Sequence, residues 1–176
     1  MAESEGLSLW RFLQLAVFAV CVFGALHLFV FESIVIPTAS MAPKLPVGTH
    51  CFLDKVTYRL RAPARGDIIV FKAPLGPPEE LVKRVIAVPG DTVELRDKKV
   101  VLNGVEQRER YVRHSRAEEK LVGDNFGPLE VPKGCYFVLG DNRDESNDSS
   151  VWKDSSGAPA PCVPAGNVRG IVRGFF

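Results

Sequence analysis

The chain has 176 residues and a formal net charge of +1, with 22 Lys plus Arg against 21 Asp plus Glu. With no excess of either sign there is no field to gather nucleic acid or an acidic substrate, so nucleic-acid binding is disfavoured. The four cysteines include no C-x-x-C pair and no His at zinc spacing, which argues against a structural metal and leaves no cofactor motif.

In chain order, a tail over 1–11 leads into "FLQLAVFAVCVFGALHLFVF", residues 12–31, twenty residues without a formal charge. As a helix this run is roughly 30 Å long, the thickness of a bilayer core, and it predicts one transmembrane helix. Its polar members Gln14 and His27 lie near the two ends, within reach of headgroups. A cleaved secretory signal is the competing account, and its apolar part is usually shorter, about 7–15 residues. Arg11 before the run is offset by Glu3 and Glu5, so the flanking charges give only a slight preference for an inside amino terminus.

Residues 32–176 suffice for one domain. They read as short runs cut by Gly and Pro: "THCFLDKVTYRL", "GDIIVFKAP", "ELVKRVIAVPGD", "TVELRDKKVVLNG", "GCYFVLGD" and "GNVRGIVRGFF". That pattern predicts a mainly β domain, with a hairpin where two β-branched runs flank "RDKK". No stretch of it holds a period of 3.6. "RHSRAEEKLVGDN" and "KDSSGAPAPC" read as surface excursions. Outside the apolar run stand Cys51, Cys135 and Cys162, so at most one intramolecular disulfide is possible. The sequence does not choose the pair, and no bond is the expectation.

Ser40 follows the apolar run closely, in "IPTASMAP", but a serine hydroxyl is a weak nucleophile without a base. None of His27, His50 and His114 sits in a triad motif, and Pro43 stands where an S-x-x-K element needs its lysine. Lys83 in "EELVKRV" is the alternative, since Leu81 and Val85 share its strand face and an apolar wall disfavours the charged amine. At an ordinary lysine pKa only about one amine in a thousand is neutral near pH 7.5, so desolvation is what a Ser-Lys dyad requires. The acidic stretch "GDNRDESNDSS" fails as a calcium loop, because Ser149 and Ser155 occupy the places of the required Gly and Glu.

Taken together and in order, these stretches resemble type I signal peptidase, the membrane-bound serine protease that removes signal peptides from exported proteins. "PTASMAP" is similar to the nucleophile box, "RGDIIVFK" to the following strand, "LVKRVIAVPGD" to the lysine box, "GDNRDESNDS" to the last box and "VPAGNVRGIVRG" to the closing strand. The resemblance implies a signal-peptidase-like β-fold behind one transmembrane helix. In it Ser40 is the nucleophile, Lys83 the general base, and Thr38 joins the Ser40 backbone N–H in the oxyanion hole. It further implies that Ser146 orients the lysine, that Asp141, Arg143 and Asp148 brace the site, and that Ile34, Ile36, Met41, Val70 and Val82 line shallow pockets. The implied partners are signal peptides with A-x-A-type small residues and the membrane lipid, with the catalytic domain on the extracytoplasmic face of the cell membrane. Organelle processing peptidases of the same superfamily and an inactive scaffold homologue are the alternatives. Glu145 and Ser150 depart from the usual Asn and Arg, leaving Asp148 without its usual cation, and the short stretch between Asp91 and Gly140 implies a compact catalytic core.

Overall fold

The computed structural model of the chain describes residues 9–175, and for residues 25–29 the backbone alone. The tail over 1–8 and the side chain of His27 therefore lie outside the described residues. The amino-terminal helix α1 spans Leu9–Phe29, and Phe31, expected at its end, instead opens a strand. Among the described residues no helix is long and apolar enough to cross a membrane.

The remainder is mainly β. Strands β1 (Phe31–Val35), β2 (His50–Asp54), β3 (Ile68–Lys72), β4 (Glu80–Ala87), β5 (Thr92–Arg96), β6 (Lys99–Leu102), β7 (Val105–Glu106), β8 (Phe126–Glu130), β9 (Cys135–Leu139), β10 (Val163–Pro164) and β11 (Val168–Phe175) follow in chain order. They form two antiparallel sheets, a larger one in the order β1-β2-β11-β3-β4-β9-β10 and a smaller one in the order β7-β6-β5-β8. The closing strand β11 thus inserts between β2 and β3, tying the last residues of the chain to the first strands of the domain. The expected hairpin is β5–β6, and both of its turn residues, Asp97 and Lys98, have positive φ. Such a two-residue turn matches the twist of the strands it joins.

The run "THCFLDKVTYRL" is only half strand. The Asp54 carboxylate accepts from the backbone N–H groups of Val56 and Thr57, 2.9 Å each, and from the Thr57 hydroxyl at 2.6 Å. This local capping stops β2 and starts a one-turn helix, α2 (Thr57–Leu60), where continued strand was expected.

Three apolar clusters fill the domain. Val93, Leu95, Val100 and Leu102 of the smaller sheet pack on Ile86, Phe137 and Leu139. Ile69, Phe71, Val85, Val138 and Trp152 form the second cluster, with Phe71 and Trp152 edge to face at 6.2 Å. Ile36, Met41, Leu45 and Cys51 form the third, beneath the nucleophile turn. Cys135 and Cys162 are joined by a disulfide, contrary to the expectation of no bond, with Cα atoms 5.3 Å apart. The small-residue loop "KDSSGAPAPC" brings Cys162 back to β9, and this proximity is invisible in spacing alone. Cys51 is free and buried.

Candidate active site

Ser40 and Lys83 are 43 residues apart in the chain, and the fold brings them into contact. Ser40 sits in a 3₁₀ turn, Ala39–Met41, that follows the extended Pro37–Thr38 segment. The turn is anchored from below by Met41, fully buried, and from the side by the last box: the Asn142 backbone N–H donates to the Ser40 carbonyl at 3.0 Å. The Asn142 side-chain amide also reaches the Ala39 carbonyl, 3.4 Å. Lys83 projects from β4, where it pairs with Ile69 of β3, and β9 takes up pairing on the other side from the next residue, Arg84. Its Nζ lies 2.7 Å from Ser40 Oγ, and the two residues keep only 3 % and 6 % of their surface exposed.

Burial lowers the Lys83 pKa from its ordinary 10.5, because the charged amine loses its water; the negative charges of Asp148 and Glu79 act in the opposite direction. No carboxylate makes an ion pair with the amine among the described residues. The direction is the one a general base needs. Thr38 Oγ1 stands 3.1 Å from Ser40 Oγ, so the second residue of the nucleophile box is at the reacting oxygen too.

The neighbouring cation has the opposite fate. Arg84 points to the other side of β4, where its Nε and Nη2 donate to the two oxygens of Asp141 at 2.8 and 2.6 Å, its Nη1 donates to the Gly66 carbonyl at 2.9 Å, and its plane stacks over the Tyr111 ring at 4.0 Å. The bidentate pair is buried, which fixes Asp141 and through it the start of the last box. Arg143 of the same box donates to Glu109 at 2.7 Å and to the Gly140 carbonyl at 3.2 Å. Asp148 accepts from the Gly140 backbone N–H at 2.9 Å and from the Ser150 N–H and hydroxyl at 3.1 and 2.8 Å. Ser150 therefore supplies a neutral donor in place of the Arg usual at this position, as the departure there implied.

Ser146 is not bonded to Lys83. Its Oγ is buried without a hydrogen-bond partner among the described residues and lies against Gly140. The expected pocket residues divide: Ile36, Met41 and Val70 are core, with almost no accessible surface, whereas Ile34 and Val82 are half-buried above them. The loop "RHSRAEEKLVGDN", read as a mere surface excursion, buttresses the site. The Arg113 N–H donates to the Asp141 carbonyl, its carbonyl accepts from the Arg143 N–H, and the Ser115 hydroxyl reaches Asn142 and Glu145.

Arg84, Gly140 and Asn142 are the site residues that sequence reasoning passed over. The strand period of two puts Arg84 on the face opposite Lys83, and a buried arginine requires a carboxylate, so "KR" followed by "GDNRD" held the signal for the Arg84–Asp141 pair. The role of Asn142 runs through its backbone and had no signal.

A family model described as signal peptidase, peptidase S26, matches residues 9–176. The chain belongs to the signal peptidase family. It is accordingly a serine peptidase, a hydrolase. Among its relatives, a probable signal peptidase I of Mycobacterium leprae is 35 % identical over 94 % of this chain and 75 % of its own length. Signal peptidase I P of Bacillus subtilis subsp. natto is 41 % identical over 69 % of this chain and 67 % of its own. A solved signal peptidase I from Enterococcus faecalis V583 is 34 % identical, covering 63 % of this chain and 97 % of that one, with a TM-score of 0.49.

Proposed function

We propose that this member of the signal peptidase family is a membrane-anchored endopeptidase that removes signal peptides from exported preproteins by acyl transfer through Ser40 and Lys83. The carrying observation is the buried 2.7 Å contact between Lys83 Nζ and Ser40 Oγ. In the neutral amine the nitrogen lone pair accepts the Ser40 proton as Oγ attacks the scissile carbonyl carbon. The resulting oxyanion is met by the Ser40 N–H and the Thr38 hydroxyl, donors of the kind worth several kcal/mol each in the transition state. The ammonium of Lys83 then returns its proton to the departing amine, and water, deprotonated by the same lysine, releases the acyl group. Ser146 Oγ, buried and unpartnered, is available as an acceptor for the ammonium.

The geometry also supports a small-residue specificity. Strand β9 pairs with β4 only from Arg84 onward, so residues 80–83 keep an unpaired edge beside the nucleophile turn. A substrate added there as a strand would present alternate side chains to the surface formed by Ile34 and Val82. Because Ile36, Met41 and Val70 are buried, Ile34 and Val82 would be left to meet the substrate, a surface for alanine-sized groups. The anchor reading rests on α1, whose Leu9, Trp10, Phe12, Leu13, Leu15, Val17, Phe18 and Val20 are all exposed, an apolar surface that water does not tolerate at this size. The catalytic domain would then lie at the extracytoplasmic face, where such preproteins emerge.

The test is cleavage of a preprotein by the full chain in detergent. Ser40→Ala, Lys83→Ala and Lys83→Arg each abolish the cut while leaving the domain folded, the last because a guanidinium stays protonated. Near-normal turnover by any of them would overturn the dyad.

A further inference from the structure

A group of charges lies on the sheet face that carries Ile34 and Val82. Glu32 precedes Ile34 by two residues on β1, and Glu80 precedes Val82 by two on β4, so both carboxylates lie on the faces that carry Ile34 and Val82 to the cluster beneath Ser40. In a flat sheet, β1 and β4 would be about 19 Å apart, with β2, β11 and β3 between them. Here one guanidinium touches both carboxylates: Arg169 Nη1 donates to Glu80, and Arg169 Nη2 donates to Glu32 at 3.3 Å. Arg169 stands on β11, midway between the two strands, and its guanidinium joins them.

Arg169 reaches this place through an irregularity. β11 pairs Val168 with Phe71 and Gly170 with Val70, so Arg169 is an extra residue with no partner on β3. Such a bulge re-aims the side chain it carries. Lys55 completes the group, bonding Glu32 at 3.1 Å while its backbone N–H donates to the Val30 carbonyl, just after the last residue of α1. The charged group thus lies at the end of this face next to α1. All three groups at the span remain about a third exposed, so they are open to a ligand.

We propose that Arg169 is a specificity-determining residue that contacts the preprotein three to five residues upstream of the cut and discriminates against cationic side chains there. The inference rests on the function proposed above. The upstream part of a signal peptide is its membrane segment, so it enters from the α1 side. A strand laid on the free edge of β4 with its scissile bond at Lys83 passes Glu80 three residues, roughly 10 Å, further upstream. At that point it meets a guanidinium whose partners are fixed and whose remaining N–H groups donate to carbonyl or other acceptor oxygens. Without Arg169, Glu80 would lose its cationic partner and Glu32 would keep only Lys55, so the same position would be net acidic toward the substrate.

The experiment uses the full chain in uncharged detergent and a set of preproteins identical except for Asp, Ser or Lys at the fourth and fifth residues before the cut, with kcat/KM measured for each. The wild type cuts the Asp substrate faster than the Lys substrate. Arg169→Ala reverses that order, changing the Asp-to-Lys ratio by roughly tenfold at low salt, as expected for two partly exposed charge contacts. Arg169→Lys keeps the wild-type order. Because the readout is a ratio within each variant, a general loss of activity or stability cancels. An unchanged ratio in Arg169→Ala, with the wild type cutting the set normally, would overturn this assignment alone. A wild type that cuts no member of the set would overturn the proposed function and this inference with it.

Discussion

Gly140 offers a sharp test of how tightly the last box positions the nucleophile. Its φ is not in the left-handed region, so alanine is tolerated by the backbone; the obstacle is space. A Cβ at this position would stand 2.5 Å from the Ser40 carbonyl oxygen and 2.6 Å from Ser146 Cβ, and closer still to Ser146 Oγ. Ordinary contact is about 3.5 Å, so relief requires a displacement of about 1 Å. Ser40 cannot yield freely, since its carbonyl is also held by the Asn142 N–H and its turn by Met41. A misplacement of about 1 Å at a reacting group typically lowers the rate by about 10²-fold. Gly140→Ala is therefore expected to fold, at a stability loss of roughly 1–3 kcal/mol from overpacking, and to lose about 10²-fold in kcat. Gly166→Ala is the control, because nothing lies within 4 Å of its Cβ. Preprotein cleavage with urea unfolding on the same samples decides the matter: kcat for Gly140→Ala within threefold of wild type would refute the packing argument.

Thr38→Ala should lower kcat by roughly 10²–10³ with little change in KM, as for the loss of one oxyanion donor, while Thr38→Ser retains most activity; both are read from steady-state kinetics. Lys83→Met should be inactive yet more stable than wild type at neutral pH. The native state holds its amine with a lowered pKa, so it resists a proton that the unfolded chain accepts; the penalty is full below the lowered value and disappears as pH rises to 10.5. Denaturant midpoints of the two proteins should therefore converge with rising pH. Reducing the Cys135–Cys162 disulfide, which closes a loop of sequence separation 27, should cost about 3.5 kcal/mol of unfolding free energy, measured in urea with and without reductant.

The fold class was legible because strands write themselves locally. The run "TVELR" alternates against a core, "GDIIVFK" is a short apolar run buried on both faces, and Asp97–Lys98 make the turn that joins β5 to β6. The end of β2 was not legible, since the capping by Asp54 competes with a β-favouring run and wins through three hydrogen bonds. The pairing of Ser40 with Lys83 came from the order of boxes; contact between them depends on β4 passing the nucleophile turn, a consequence of sheet order that no local pattern encodes. The same is true of the Cys135–Cys162 bond and of Arg169 reaching Glu32, which both depend on how distant segments return to one place.

One substitution in the last box bears directly on the base. β4 buries two successive cations, and only Arg84 is given a carboxylate in contact, so Arg84 stays charged while desolvation dominates Lys83. What restrains that desolvation is chiefly Asp148, whose own partners here are the Gly140 N–H and Ser150, all neutral donors. An anion whose charge is not cancelled by a contacting cation favours the protonated amine, and so holds the Lys83 pKa higher than burial alone would. Asp148→Asn should therefore lower that pKa further, because the amide keeps an acceptor oxygen but carries no charge. The acidic limb of the kcat/KM profile follows the fraction of Lys83 that is neutral, so it should move to lower pH in the variant, whatever the loss in absolute rate. Profiles measured from mildly acidic to alkaline pH on one preprotein supply the check. A limb that stays in place would show that Asp148 acts only as a hydrogen-bond acceptor for Gly140 and Ser150, and a limb that moves to higher pH would contradict Lys83 as the base.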